Sequence, residues 1–271
     1  MKKKLSLAQS LLWILCITIV LNGGAIFFIL YSKKELSKKQ ALGNYVINSL
    51  IQEGPVSESL KSVYLQEALG LSVDKDKNIY LYDLKEARDS LLKLPVIDFV
   101  FLKKEFPSSL FVSYSLRQPI AYLGDFEDLF VDSQQVPIPQ QPFYSPKKLP
   151  EIYLNDEKED VVWHHPLKGA KWYQAYFLLN FINEIGFGSD LQSIDMRNYQ
   201  HENFGAQQIV LVFKHFLEDK DKLVYLRLPC KKTEVFLKKF LLMKEQVLEM
   251  SSSQDIVIDL RFEDTYLVAP S

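Results

Sequence analysis

The four histidines of the chain, His164, His165, His201 and His215, are the first place to look for metal or acid–base chemistry, with Glu202 beside His201. A zinc site needs its ligands to converge on one point. Adjacent histidines in a strand point to opposite faces, so His164 and His165 are a poor start for one. The two cysteines are far apart in sequence: Cys16 lies in an apolar N-terminal run and Cys230 deep in the rest of the chain. They are not expected to meet, and the fold is not expected to depend on an internal disulfide. A lone Cys230 reads as a small buried hydrophobe before it reads as a nucleophile. Asp156, Glu157, Glu159 and Asp160 offer neighbouring carboxylates, but they crowd into one short polar stretch that reads as a solvated loop. There is no Gly-x-Ser-x-Gly elbow, no Walker-type phosphate loop and no Cys-x-x-Cys pair. No catalytic, cofactor-binding or metal-binding residue is therefore assigned. The expectation is a protein that is not an enzyme, with a membrane-anchored periplasmic hydrolase, its site drawn from these histidines with Glu202 nearby, as the remote alternative.

Composition narrows the classes further. With 48% hydrophobic and 24% charged residues the chain is expected to fold. A formal net charge of −2 lacks the basic surplus of a nucleic-acid binder. Eighteen Phe and 14 Tyr against only 10 Gly suit strands with aromatic faces.

Residues 5–32 contain no charged side chain and are dominated by Leu, Ile, Val, Phe and Ala. About 20 residues cross a hydrocarbon core of about 30 Å, so this run is long enough to span. A cleavable signal peptide would end its apolar core near a small-x-small site, whereas here the run continues through Ala25-Ile26-Phe27-Phe28-Ile29-Leu30. A retained anchor is the better reading. Lys2, Lys3 and Lys4 precede the span and Lys33, Lys34, Lys38 and Lys39 follow it, so charge alone does not orient it. A short tail at residues 1–4 inside and everything after the span outside is the simpler topology. Residues 33–44 then form a Lys-rich juxtamembrane linker.

The elements beyond it can be placed by period. Tyr45-Val46-Ile47-Asn48-Ser49-Leu50-Ile51 reads as a short strand, broken by Gly54-Pro55. A helix over 57–69 stops at Gly70. Asp83, three residues before Glu86, predicts the start of a second helix that Pro95 closes. Two strands follow, joined at Phe106-Pro107-Ser108-Ser109, the second with Leu110, Val112, Tyr114 and Leu116 on one face. Later come strand-like runs at 120–123, 129–131 and 152–154, and a proline-rich surface loop from Pro137 to Pro150. A helix over 170–185 ends at Gly186, and a hairpin joins 209–216 to 223–228. A helix over 233–250 has Val235, Phe236, Phe240, Leu242, Met243 and Val247 on or near its buried side. Strands at 256–262 and 266–268 end the pattern. The fold class is α+β: a transmembrane helix, a β-α-α-β-β domain over 45–123, and a larger mixed α+β domain over 124–271 with a mostly antiparallel sheet.

The first of these domains resembles the POTRA domain of the FtsQ/DivIB family of cell-division proteins. The residues that carry the likeness are Asn78-Ile79-Tyr80-Leu81-Tyr82-Asp83, Leu94-Pro95-Val96, Lys103-Lys104-Glu105-Phe106-Pro107-Ser108-Ser109-Leu110 and Arg117-Gln118-Pro119-Ile120-Ala121. Leu129-Phe130-Val131-Asp132 and Leu149-Pro150 resemble the start of that family's β domain, and Ile258-Asp259-Leu260-Arg261-Phe262 resembles its C-terminal signature. Leu116 stands where the family has Glu, and Ser133-Gln134-Gln135 lacks the turn glycine.

The resemblance implies a non-catalytic bitopic scaffold of the divisome in the cytoplasmic (inner) membrane, with its C-terminal domains outside the cytoplasm and its place at the division site. It would hold FtsB- and FtsL-like partners, control septal peptidoglycan synthesis, and meet other divisome members through the POTRA domain. No cofactor, nucleic acid or small-molecule substrate is implied. The contact would be made by β-augmentation at an open C-terminal sheet edge, with Arg261, Phe262, Tyr266, Leu267 and Val268 as the partner-binding residues. Phe262 as ordinary core and Asp259–Arg261 as a surface pair is the competing account of those positions. A POTRA-containing envelope assembly or secretion factor is the alternative function. The C-terminal half, however, lacks the run of about 10-residue alternating strands that a membrane barrel needs.

Overall fold

The computed structural model describes residues 7–41, 45–71, 76–155, 161–217, 220–249, 255–262 and 267–270. A 35-residue helix, α1 (Leu7–Ala41), comes first. Its section Leu11–Lys39 is long and apolar enough to cross a membrane, and none of it is buried against the protein. Leu12, Trp13, Val20, Leu21, Phe27 and Phe28 are all more than half exposed. An apolar surface on every side of a helix fits a hydrocarbon surrounding better than water. The helix runs on through most of the expected linker. Lys33, Lys34, Glu35, Leu36, Lys38 and Lys39 are good helix formers, and no glycine or proline intervenes before Gly43.

The chain divides into two units, the first made of Met1–Pro55, Ser59–Lys93 and Phe99–Ser115, the second of Val56–Glu58, Leu94–Asp98 and Leu116–Ser271. After α1 the elements run β1 (Ser49–Glu53), α2 (Ser62–Ala68), α3 (Leu84–Leu92), β2 (Ile97–Glu105) and β3 (Ser109–Leu116), the expected β-α-α-β-β order. β3 lies between β1 and β2, and β1 runs parallel to it. Along β3 buried and half-buried residues alternate strictly, with Leu110, Val112, Tyr114 and Leu116 inside, as their spacing predicts. Leu65 of α2 and Leu91 of α3 are fully buried.

The ends of these helices are set by local chemistry. Asp83 Oδ1 accepts from the backbone N–H groups of Lys85 and Glu86, at 2.8 and 3.2 Å, and so satisfies two of the free donors at the start of α3. Gly70 takes φ +63°. Its N–H donates to the Glu67 carbonyl and that of Leu71 to the Gln66 carbonyl, which closes α2 in a Schellman turn.

The second unit is built on a nine-stranded sheet. Its elements are β4 (Pro119–Leu123), β5 (Leu129–Asp132), β6 (Pro137–Pro139), β7 (Glu151–Tyr153), α4 (Ala170–Glu184), β8 (Leu191–Asp195), β9 (Ile209–Leu217), β10 (Lys220–Leu228), α5 (Thr233–Glu249), β11 (Ile256–Asp259) and β12 (Leu267–Pro270). The strand order is β12-β11-β10-β9-β8-β7-β4-β5-β6. β4 thus pairs inside this sheet, so the contacts of the chain change over ahead of residue 123, at Ser115 and Leu116. Among the described residues five neighbouring pairs are antiparallel and three are parallel. The sheet is therefore mixed. Two of the parallel pairs, β7 with β8 and β10 with β11, are joined through α4 and α5, the helical crossovers that parallel neighbours require.

Both crossover helices bury their apolar side in one core. Trp172, Ala175, Leu178, Leu179 and Ile182 of α4 and Phe236, Leu237 and Phe240 of α5 belong to the same cluster as Ile194, Leu211, Leu226 and Ile258 of the sheet. Burying one such side chain fully contributes about 1.5–3 kcal/mol. Gly186, at φ +81°, ends α4 in the same way that Gly70 ends α2.

Three expectations need correction. Val235 is half exposed and Leu242 is 88% exposed, because α5 turns the Phe236–Leu237–Phe240 side to the sheet instead. Val247 and Met250 have no described side chains. The proline-rich segment is not all surface loop: Pro137–Pro139 forms β6, and Ile138 is fully buried. Proline is tolerated there because β6 is the outermost strand and donates little to the ladder. β8 was not anticipated at all. The cluster Asp156, Glu157, Glu159 and Asp160 lies outside the described residues.

Arg117, in the link between β3 and β4, and Asp132, at the end of β5, lie fifteen positions apart and meet. Arg117 Nη1 sits 2.7 Å from Asp132 Oδ2, with the side chains 13% and 4% exposed. Asp132 Oδ1 also accepts from the N–H groups of Gln134 and Val136, at 2.9 and 2.7 Å. A carboxylate this buried requires such partners.

Candidate functional site

β12 is the last strand of the nine-stranded sheet and pairs on one side only among the described residues, antiparallel to β11. Its register sets Leu267 opposite Asp259, Val268 opposite Ile258 and Ala269 opposite Val257. Ile258 is 1% exposed in the core, yet Val268, its partner across the ladder, is 41% exposed and Leu267 is 59% exposed. The core therefore thins out at this edge and leaves apolar side chains without cover. An outer strand also presents backbone N–H and C=O groups with no neighbour, which is the template for strand addition.

The segment leaving β11 is fixed by a charged clamp. Asp259 is 7% exposed. The Arg261 guanidinium grips its carboxylate bidentately, with Nε 2.9 and 3.1 Å from the two oxygens and Nη2 2.7 Å from Oδ2. The Arg261 backbone N–H donates to Oδ1 at 3.1 Å, and Nη1 donates to the Gly205 carbonyl at 2.9 Å. Burial pushes the Asp259 carboxyl up, but the Arg261 side chain and backbone donors, with Arg227 behind them, outweigh it and hold it below the usual carboxylate range. The clamp is thus not a plain surface pair. It ties the exit of β11 to the short turn at Phe204–Ala206, which Asn203 Oδ1 caps by accepting from Gly205 N–H.

Phe262 projects beyond the clamp at 50% exposure and is not core. It shares a cleft of about 390 Å³ with Phe204, Gly205, Gln207, Pro229, Cys230 and Arg261. Phe204, at 83% exposure, is the residue that sequence reasoning missed. Its only signal was a large apolar side chain set in the polar run His201-Glu202-Asn203 before a glycine. Of the five residues expected at the partner site, Arg261 and Phe262 line this cleft, Leu267 and Val268 lie on β12, and Tyr266 lies outside the described residues.

The residues with chemical potential do not form a comparable constellation. Burial pushes the Cys230 thiol up, away from the thiolate form that a nucleophile needs. Among the described residues no group of three or more His, Cys, Asp or Glu is placed to hold a metal ion. His201 is exposed, and its Nδ1 accepts from the Asn203 N–H at 3.1 Å. Arg261 is occupied by Asp259 and Gly205, so it serves as a strut that positions its neighbours. The arrangement offers an outer strand with exposed apolar side chains and, separately, a cleft lined by two exposed rings.

No protein-family model matches this chain, and no curated protein does.

Proposed function

We propose that this chain is a non-catalytic, single-pass membrane scaffold of the FtsQ/DivIB kind. On this reading 45–123 is its POTRA domain, the nine-stranded unit is the outward β domain, and the N-terminus lies inside the cytoplasmic membrane. It holds FtsB- and FtsL-like division proteins and through them helps control septal peptidoglycan synthesis. The observation that carries the proposal is the open β12 edge, where Leu267 and Val268 are uncovered, with the exposed Phe262 following the rigid Asp259–Arg261 clamp at the exit of β11. A partner strand added to β12 gains main-chain hydrogen bonds, and Phe262 and Phe204 supply the aromatic anchors that dominate many interfaces.

The test is a pull-down of the full chain in detergent with the extracytoplasmic segments of FtsB- and FtsL-like proteins from the same cell. Phe262→Ala combined with Leu267→Lys is expected to weaken capture at least about tenfold, the equivalent of about 1.4 kcal/mol. Its circular dichroism should be unchanged, since both side chains are at least half exposed. Capture of neither partner by the wild type defeats the division reading and favours a general envelope-assembly role. Capture that survives the double change keeps the function and removes the site.

A further inference from the structure

Three aromatic rings gather in the first unit where no core needs them. Tyr80 meets Tyr45 edge-on at 5.1 Å between centroids and Phe106 at 5.0 Å. Phe106 stands at the turn between β2 and β3 and is 57% exposed; Tyr45 and Tyr80 are half buried. The cluster is joined to the far end of α1. Lys39 Nζ lies 5.9 Å over the Tyr80 ring, and the Asn78 side-chain amide donates to the Lys39 carbonyl at 3.3 Å.

The depth of that junction follows from the helix. The 29 residues of Leu11–Lys39 extend about 44 Å at about 1.5 Å per residue, close to the 40–45 Å of a bilayer with both headgroup layers. Uncharged sequence ends at Ser32, and Lys39 follows Lys33 by six residues, about 9 Å of helix. With Leu11–Lys39 as the span, residues 33–39 would cross the outer headgroups, and the Tyr45–Tyr80–Phe106 cluster, joined to Lys39, would lie at their outer limit. Four lysines, Lys33, Lys34, Lys38 and Lys39, stand in that stretch against one acid, Glu35, which pairs with Lys38 at 3.2 Å. Lys103, on β2, is neutralised by Glu105 at 2.6 Å. Two tyrosines, each with an apolar body and a polar tip, and one phenylalanine, joined to a helix end with a surplus of lysine over acid, are what the membrane–water interface selects.

We infer that Tyr45, Tyr80 and Phe106 form an interfacial anchor that seats the first unit on the anionic phospholipid headgroups of the bilayer spanned by α1. The inference rests on the proposed membrane span, but not on the division reading or on the β12 edge. The lysines attract the headgroups, Phe106 enters the layer, and the tyrosine hydroxyls stay at its wet side. Such a seat restricts how the chain beyond α1 swings about the membrane.

The full chain, with Cys16→Ala and Cys230→Ala, is reconstituted in vesicles with and without phosphatidylglycerol. A fluorophore is placed at Ser108→Cys in the β2–β3 turn or, as a control, at the exposed Val63→Cys of α2. Headgroup-nitroxide lipids are expected to quench the dye at 108 several-fold more than the dye at 63, and more so with phosphatidylglycerol. Phe106→Asp should bring 108 down to the level of 63 while the chain still floats with the vesicles after an alkaline wash. Failure to float overturns the membrane span itself. Flotation with equal quenching at both positions overturns the anchor alone. A dye at 108 that is shielded from an aqueous quencher but not reached by the lipid nitroxide means that protein covers the rings, which also overturns it.

Discussion

Asp259 sits within the β11 ladder and is held ionised by Arg261, so its contribution to stability depends on pH. Its carboxyl lies below the ordinary value of about 3.9, so the stability it contributes is fully present above that value. That stability is lost as the pH falls through the folded value. Asp259→Asn keeps the shape and removes the charge that Arg261 grips. It is expected to cost about 2 kcal/mol at neutral pH, the scale of hydrogen bonds to a charged group. The cost should shrink as the pH falls from about 3.9 through the lower folded value, where the wild type loses the same interaction. Urea midpoints at the two pH values measure this, and an unchanged gap would place the contribution elsewhere. Much at this scale was legible in the sequence where the partner is near in the chain. Asp83 caps the N–H groups two and three residues on, and Gly70 and Gly186 close their helices within one turn. The ion pair of Arg117 with Asp132 is not legible in the sequence, because nothing local joins positions fifteen apart. Phe204 was invisible for the opposite reason: a single exposed ring in a polar turn leaves no period to read.

At the level of elements, period identified the strands and helices better than it chose their faces. α5 was legible as a helix, yet its apolar residues wrap more than half of its circumference, so the sequence did not say which side meets the sheet. The structure puts Leu237 at 1% exposure and Leu242 at 88%. Leu237→Ala should therefore cost about 2–5 kcal/mol, and Leu242→Ala less than about 0.5 kcal/mol. Equal losses in a denaturant titration would mean that α5 buries a different face. β8 escaped notice because Leu191-Gln192-Ser193-Ile194-Asp195 has too little alternation and no run of β-branched residues. Its place is fixed by the pairing of β7 and β9 on either side of it, and tertiary context overrides propensity there. The two parallel pairs made by crossover helices were hidden likewise, since direction within a sheet is a long-range property.

At the scale of the whole molecule, the order of segments was the most legible feature: an apolar helix, a β-α-α-β-β unit, then a larger mixed α+β unit. Each follows from composition and spacing over tens of residues, where single ambiguities average out. On the proposed reading, what the chain does with that order turns on one edge. A sheet that ends in a short strand with uncovered valine and leucine presents unpaired backbone groups that a partner strand would complete. The most direct test is hydrogen–deuterium exchange of the full chain, alone and with an excess of the FtsB-like extracytoplasmic segment. The account predicts new amide protection at Leu267–Pro270 and around Arg261 and Phe262, with β1 and the rest of the first unit unchanged. Binding accompanied by protection elsewhere and none on β12 would contradict it.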